Sequence, residues 1–263
     1  MIVKQLYADN PLRNFHYLIA CEETNEAMVI DPLDVDRCIC AAQKAGFKIT
    51  HILNTHEHWD HIDGNSEMCD KTGAEILAHH GAIDKIANVS RGLYANDLIQ
   101  IGSSVSLNVL DTPGHTKSHV CLLSNGEQPA LICGDTLFNA GVGHCKLGGN
   151  VDDLYNSFSK QLATLPDDTR IFPGHDYMIN NLEFTLDREP DNEEAKKYLK
   201  KLEHQDPHTA YVSTMADERK INSFLRLNNN SIIKKLRQEL PNLSENPTEK
   251  EVFIALRQLR DHW

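Results

Sequence analysis

The 263-residue chain reads as an α/β protein, a layered sandwich followed by a smaller helical unit. Three observations predict it. Short apolar runs bounded by Asn, Asp, Pro or Gly recur as far as residue 172, and isolated amphipathic helix patterns interrupt them. From about residue 179 the chain turns polar and helical, and strand signals nearly vanish.

The first strands are expected at 2–7, 15–20, 27–30 and 49–53. Between the last two, residues 34–45 carry helical spacing, and Gly46 supplies the stop that ends such a helix. Further strands follow at 75–78, 98–101, 105–110, 120–123 and 130–133, then a helix at 151–165 and a short strand at 170–172. The tail holds helices at 180–188, 192–204, 231–240 and 248–261. Thr248, with Glu251 three residues on, has the form of a capping box, in which each side chain satisfies the other's free backbone N–H. This change of texture divides the chain into a β-rich unit over 1–175 and a helical unit over 176–263.

Composition narrows the class. With 40% hydrophobic residues the chain can bury a real core. A formal net charge of −12 argues against nucleic acid or an anionic membrane as partner, since both reward a basic face. The opening Met1-Ile2-Val3-Lys4-Gln5-Leu6-Tyr7 is too short and polar for a secretory signal, and no apolar stretch approaches bilayer-spanning length, so a soluble cytoplasmic protein is expected. Seven cysteines without a CxxC pair suggest neither a disulfide scaffold nor a zinc ribbon, and Cys121 and Cys133, set inside apolar runs, read as buried thiols. A monomer is expected, because no long apolar stripe is left over.

Directly after the run ending at Leu53 the chain reads Asn54-Thr55-His56-Glu57-His58-Trp59-Asp60-His61-Ile62-Asp63-Gly64. Three histidines and an aspartate offer the imidazole nitrogens and carboxylate oxygens that zinc, iron or manganese accept. In an extended segment side chains alternate, so residues 56, 58 and 60 converge while Glu57 points away and Trp59 packs. Three strand exits downstream repeat the pattern, at Asp111-Thr112-Pro113-Gly114-His115, Cys133-Gly134-Asp135-Thr136 and Pro173-Gly174-His175-Asp176. Any one of these alone is an ordinary turn. Four loops with the same logic point to one shared metal centre.

The segments 55–61, 114–119, 134–138 and 173–177 resemble, in kind and order, the THxHxDH, GHTxGH, GDTLF and PGHEY segments of the metallo-β-lactamase superfamily, and within it the glyoxalase II (hydroxyacylglutathione hydrolase) family. The resemblance spans essentially the whole chain, the end with Leu256-Arg257-Gln258-Leu259-Arg260-Asp261 included. It implies an αββα sandwich holding two divalent metal ions, zinc first, with iron or manganese as alternatives. His56, His58 and His115 are implied to hold one, Asp60, His61 and His175 the other, with Asp135 bridging. The implied reaction is hydrolysis of a glutathione thioester, S-D-lactoylglutathione to D-lactate and glutathione, by a metal-bridging hydroxide that Asp60 orients or deprotonates. Tyr177, Arg257 and Arg260 are implied to bind glutathione, and the two arginines, three apart on one helix, share a face.

The resemblance also assigns His144 and Lys146 to substrate, and here the chain departs from the family: His144 replaces a usual Arg or Lys, for which Lys146 compensates, an aromatic residue is usual near Lys146, and Asp63 and Ser118 replace usual glycines. Two other readings stay open. A mononuclear-iron persulfide dioxygenase of the same superfamily needs only two His and one carboxylate, which His56, His115 and Asp135 would supply, but the helical tail with Arg257 and Arg260 disfavours it. A non-catalytic metal-binding member is disfavoured because none of the seven ligand positions is substituted.

Overall fold

The computed structural model describes residues 1–126 and 128–263. One sheet runs in sequence order through β1 (Ile2–Tyr7), β2 (Phe15–Cys21), β3 (Glu26–Ile30), β4 (Lys48–Asn54), β5 (Glu75–His79) and β6 (Val89–Leu93). Its first three strands pair antiparallel and the rest parallel. The second sheet contains β7 (Leu98–Ile101), β8 (Val105–Asp111), β9 (Val120–Ser124) and β10 (Ala130–Gly134). After β10 the chain makes a small hairpin, β11 (Leu137–Phe138) and β12 (Gly141–Val142), and later returns as β13 (Arg170–Pro173), parallel to β10 at the edge of that sheet.

Around the sheets lie α1 (Val35–Ala45), the single turn α2 (Trp59–Ile62), α3 (Asn65–Thr72) and α4 (Val151–Lys160). The tail adds α5 (Met178–Arg188), α6 (Glu193–Leu202), α7 (Met215–Ile221), α8 (Asn230–Glu239) and α9 (Glu249–Arg260). Layering follows from side-chain alternation. In β2, which is buried throughout, Phe15, Tyr17, Ile19 and Cys21 enter the core between the sheets, while Leu18 and Ala20 face the helical layer. Val35, Cys38 and Met68 of α1 and α3 cover that outer face. On the far side, Leu154 and Phe158 of α4 and Val252, Phe253 and Leu256 of α9 cover the second sheet. The expected αββα sandwich with a helical tail is the architecture observed, and Cys121 and Cys133 are buried as expected.

Several elements differ from expectation. The edge strand β6, with Ser90 and Arg91 exposed, lacks the apolar density that marks a strand. The helix expected to reach residue 165 stops at Lys160, where Gln161 leaves helical geometry at φ −120 and ψ −60. Helix α7 was not expected, yet Thr214 and Asp217 close a capping box at its start. The box at Thr248 and Glu251 is present as expected.

Helix α7 brings in a wholly buried acid. Glu218 Oε2 accepts from the Ala140 N–H (2.8 Å) and Asn222 Nδ2 (2.9 Å), and Oε1 accepts from Ser213 Oγ (2.6 Å). Burial outweighs these bonds and pushes its carboxyl up to about 7. The fold therefore holds this proton more tightly than the unfolded chain does. Its stabilisation is fully present below the ordinary carboxyl range and is lost as pH rises through about 7. Between pH ~5.5 and ~8, the wild type is expected to lose about 2 kcal/mol more unfolding free energy than Glu218→Gln. Denaturant unfolding at the two pH values checks this, and equal losses would refute it.

Candidate metal centre

The site is built at one edge of the sandwich, where β4, β8, β10 and β13 end. The Thr55 N–H and Oγ1 donate to Asp31 (2.8 and 2.7 Å), and the Thr55 carbonyl accepts from the Val120 N–H (2.9 Å), which pins the histidine loop between the sheets. Backbone at His58 is extended, with φ −68 and ψ 146, but α2 starts at the next residue. The expected alternation therefore ends at His58. Asp60 and His61 are both buried from adjacent helical positions, whereas Trp59, expected to pack, is 60% exposed. Glu57 does turn away, to Lys85 and to the Thr116 hydroxyl (3.0 Å).

All seven predicted ligands are brought together. His58 Nδ1 lies 3.0 Å from His56 Nε2 and 3.0 Å from His115 Nε2. Asp60 Oδ2 lies 3.4 Å from His61 Nε2 and 3.5 Å from His175 Nε2. Asp135 stands between the sets, with Oδ2 3.4 Å from His115 and 3.3 Å from His175, and Oδ1 3.6 Å from His61. A tetrahedral zinc with ligand bonds of about 2.0 Å needs donors roughly 3.3 Å apart. The arrangement meets that requirement. His61 Nε2 and Asp135 Oδ1 are moreover buried with no hydrogen-bond partner among the described residues, and a cation between them would satisfy both. The donor set fits divalent metal binding, in the three triads His56/His58/His115, His56/His61/Asp135 and Asp60/His61/His175.

The second ring nitrogen of each histidine is held in place. His61 Nδ1 meets Asp31 Oδ2 (3.0 Å), His115 Nδ1 the His144 carbonyl (2.6 Å), His175 Nδ1 the Leu12 carbonyl (2.8 Å), His58 Nε2 the Leu147 carbonyl (3.0 Å) and His56 Nδ1 the Thr55 hydroxyl (3.0 Å). Asn14 Nδ2 donates to Asp60 Oδ2 (3.0 Å). His119 stacks on His56 at 5.2 Å and accepts from the Asp135 N–H (3.2 Å). Burial pushes His56 well down, and His115 to about 4. Burial also pulls on His61, but the Asp135 and Asp31 carboxylates outweigh it and hold His61 well above its ordinary value. Asp60 and Asp135 stay below the usual carboxylate range, because neighbouring histidines outweigh their burial.

Asp31 and Asn14 were not anticipated. Ile30-Asp31-Pro32 has the same strand-then-aspartate form as the exit at Asp135, and that was the available signal for Asp31. Of the departures from the family pattern, Ser118 is buried near Gly81, while Asp63 is exposed at the end of α2.

The residues assigned to substrate, His144, Lys146, Tyr177, Arg257 and Arg260, all line one cleft of about 280 Å³ beside the cluster. The Tyr177 ring stacks on His175 at 4.8 Å, and the His144 ring lies 4.9 Å from that of His115. Burial lowers His144 below its ordinary value, so at neutral pH the cleft draws its positive charge from Lys146, Arg257 and Arg260. Arg257 is only 6% exposed and turns to the chain itself, donating to Val142 O (2.8 Å), Gly143 O (3.2 Å) and Asp261 Oδ1 (2.9 Å). Lys146 Nζ donates to Asp261 O (2.6 Å), and Arg260 donates to Asn180 and to Asn181 Oδ1 (3.2 Å).

Residues 10–175 match the model of the metallo-beta-lactamase superfamily, and residues 176–263 match that of the hydroxyacylglutathione hydrolase C-terminus. The hydroxyacylglutathione hydrolase of Nitrosococcus oceani is 53% identical over 263 residues, covering 100% of both chains. The enzyme of that name designated cytoplasmic in Arabidopsis thaliana is 35% identical over 255 residues, 95% of each chain. Among solved structures, ETHE1 from Myxococcus xanthus aligns with TM-score 0.68 at 25% identity, covering 99% of this chain and 98% of that one. The chain belongs to the hydroxyacylglutathione hydrolase family of the metallo-β-lactamase superfamily.

Proposed function

We propose that the chain hydrolyses S-D-lactoylglutathione and related S-2-hydroxyacylglutathiones to a 2-hydroxy acid and glutathione. One observation carries this reading: a cleft lined with cations meets the seven-donor cluster at the stacked pair His175 and Tyr177, in a chain whose full-length relatives are named for this reaction. In this reading residues 1–175 form the catalytic unit and 176–263 the glutathione-binding unit, in a cytoplasmic monomer. Two divalent ions, zinc with iron or manganese as alternatives, are assigned to His56, His58 and His115 and to Asp60, His61 and His175, with Asp135 shared.

When bound, such ions lower the pKa of a coordinated water to roughly 7 and polarise a carbonyl oxygen. The protein's own groups supply the rest. Asp60, kept as a carboxylate and steadied by Asn14, can accept a hydrogen bond from a water and orient it. Phe138, packed on Tyr177 at 5.3 Å, and Tyr177 itself stand between the cleft and His175 of the cluster. Lys146 and Arg260 give an otherwise acidic protein the local positive field that glutathione carboxylates require. A thiol of pKa about 8.5 leaves readily as thiolate, so no proton donor is needed at the leaving group.

Metal analysis of the purified protein, with assays of S-D-lactoylglutathione hydrolysis and of oxygen uptake on glutathione persulfide, tests the proposal. Two metals per chain with thioester turnover are expected. One iron per chain with persulfide-dependent oxygen uptake would overturn it.

A further inference from the structure

The β11–β12 hairpin links two parts of the metal centre. Asp135 precedes it. His144, whose carbonyl accepts from His115 Nδ1 at 2.6 Å, follows it. Between them Gly143 lies close against Asp135 and His115, since a Cβ there would lie 1.8 Å from the Asp135 carbonyl oxygen and 3.2 Å from His115 Nδ1. A hairpin with two residues per strand does little to hold itself, and Ala140 in its turn adopts a left-handed φ of 59, which costs a residue with a Cβ.

The grip comes from the helical tail. Asn181 Nδ2 donates to Asn139 O (3.0 Å), Glu218 accepts from the Ala140 N–H, Asn222 Nδ2 donates to Gly141 O (3.1 Å), and Arg257 donates to Val142 O and Gly143 O. Each backbone position from 139 to 143 is thus held by a side chain from beyond residue 175. Glu218 is the hub. It binds the strained Ala140 directly, anchors Asn222, and accepts from the Ser213 hydroxyl that receives Asn139 Nδ2 (2.7 Å).

We propose that Glu218 is a positioning residue of the metal centre: by gripping the Ala140 amide it fixes the hairpin, the Gly143 contact and the His144 carbonyl, and so the orientation of Asp135 and His115. Metal retention in the β-rich half then depends on the helical tail. This rests on the metal-binding reading above.

The test loads wild type, Glu218→Ala, Glu218→Gln and Asn222→Ala with zinc and follows its transfer to excess chromogenic chelator, at a temperature where circular dichroism reports each as folded, alongside kcat and KM. Glu218→Ala is expected to release zinc about 10- to 100-fold faster and to lose kcat, with any rise in KM following from the freed His144 and Phe138. Glu218→Gln keeps the shape and an oxygen for the Ala140 N–H, and should restore slow release. Asn222→Ala, which frees Gly141 O, should show a weaker form of the same defect and serves if Glu218→Ala does not fold. Ile49→Ala opens a cavity at the far end of β4 and controls for destabilisation alone, so its release rate should match wild type. Zinc release from Glu218→Ala and Asn222→Ala at the wild-type rate, or equal acceleration by Ile49→Ala, would overturn the proposal alone. A wild type that binds no divalent metal would overturn the metal-binding reading and this proposal with it.

Discussion

Asp135→Ala is expected to lower kcat/KM by about 10³-fold or more, roughly 4 kcal/mol of transition-state stabilisation. Its carboxylate reaches both donor sets, within 3.4 Å of His115, 3.3 Å of His175 and 3.6 Å of His61. Removing it takes a donor from either side, and it also takes away the negative charge set among three imidazoles. Metal bound per chain should fall with the rate, because the same oxygens serve both. Initial-rate kinetics and metal analysis after dialysis check the two effects. A variant that keeps the wild type's metal content and stays within tenfold of its activity would rule out a shared role for Asp135.

The second large effect is expected at Asp31, one residue beyond β3. Its buried carboxylate accepts from the Thr55 N–H, the Thr55 hydroxyl and His61 Nδ1, and its own N–H donates to Leu53 O at 2.9 Å. Asp31→Ala leaves three donors unpaired in the interior. Breaking such a buried charged network costs about 3–5 kcal/mol of stability. Losing the partner that orients His61 should weaken metal binding a further 10- to 100-fold, on the order seen for such supporting groups. Asp31→Asn, which keeps the shape and one acceptor oxygen, should lose less of both. Denaturant unfolding of the metal-free protein separates the stability term from the affinity read by metal titration. If Asp31→Ala matched wild type in both, the support assigned to this carboxylate would be wrong.

The candidate ligands were readable because metal chemistry narrows the choice to His and Asp, and because each sits just past an apolar run that the sequence marks as a strand. Asp31 obeys the same rule but is followed by proline, so it passes for an ordinary turn. Its role, and its left-handed φ of 49, arise only once β3 pairs with β4. Trp59 was misread for a local reason: alternation assumes extended backbone, and α2 begins one residue too early for that. Arg257 lines the cleft, but its bonds to carbonyls more than a hundred residues away leave no trace in helix periodicity. Helix α7 lacks a long apolar stripe, because its inner face is spent partly on Glu218.

The last strand of the second sheet has a consequence for biosynthesis. β13, which ends two residues before His175, pairs parallel with β10, and the Ile171 N–H donates to Ser213 O (2.8 Å) in the tail. A chain emerging from the ribosome can assemble the triad His56, His58 and His115 early, since it needs only the first half of the sequence. The complete seven-donor set waits for residue 175, and the strand leading to it is not braced until residue 213 has emerged. During synthesis the donors of one triad can therefore come together well before the rest of the cluster exists.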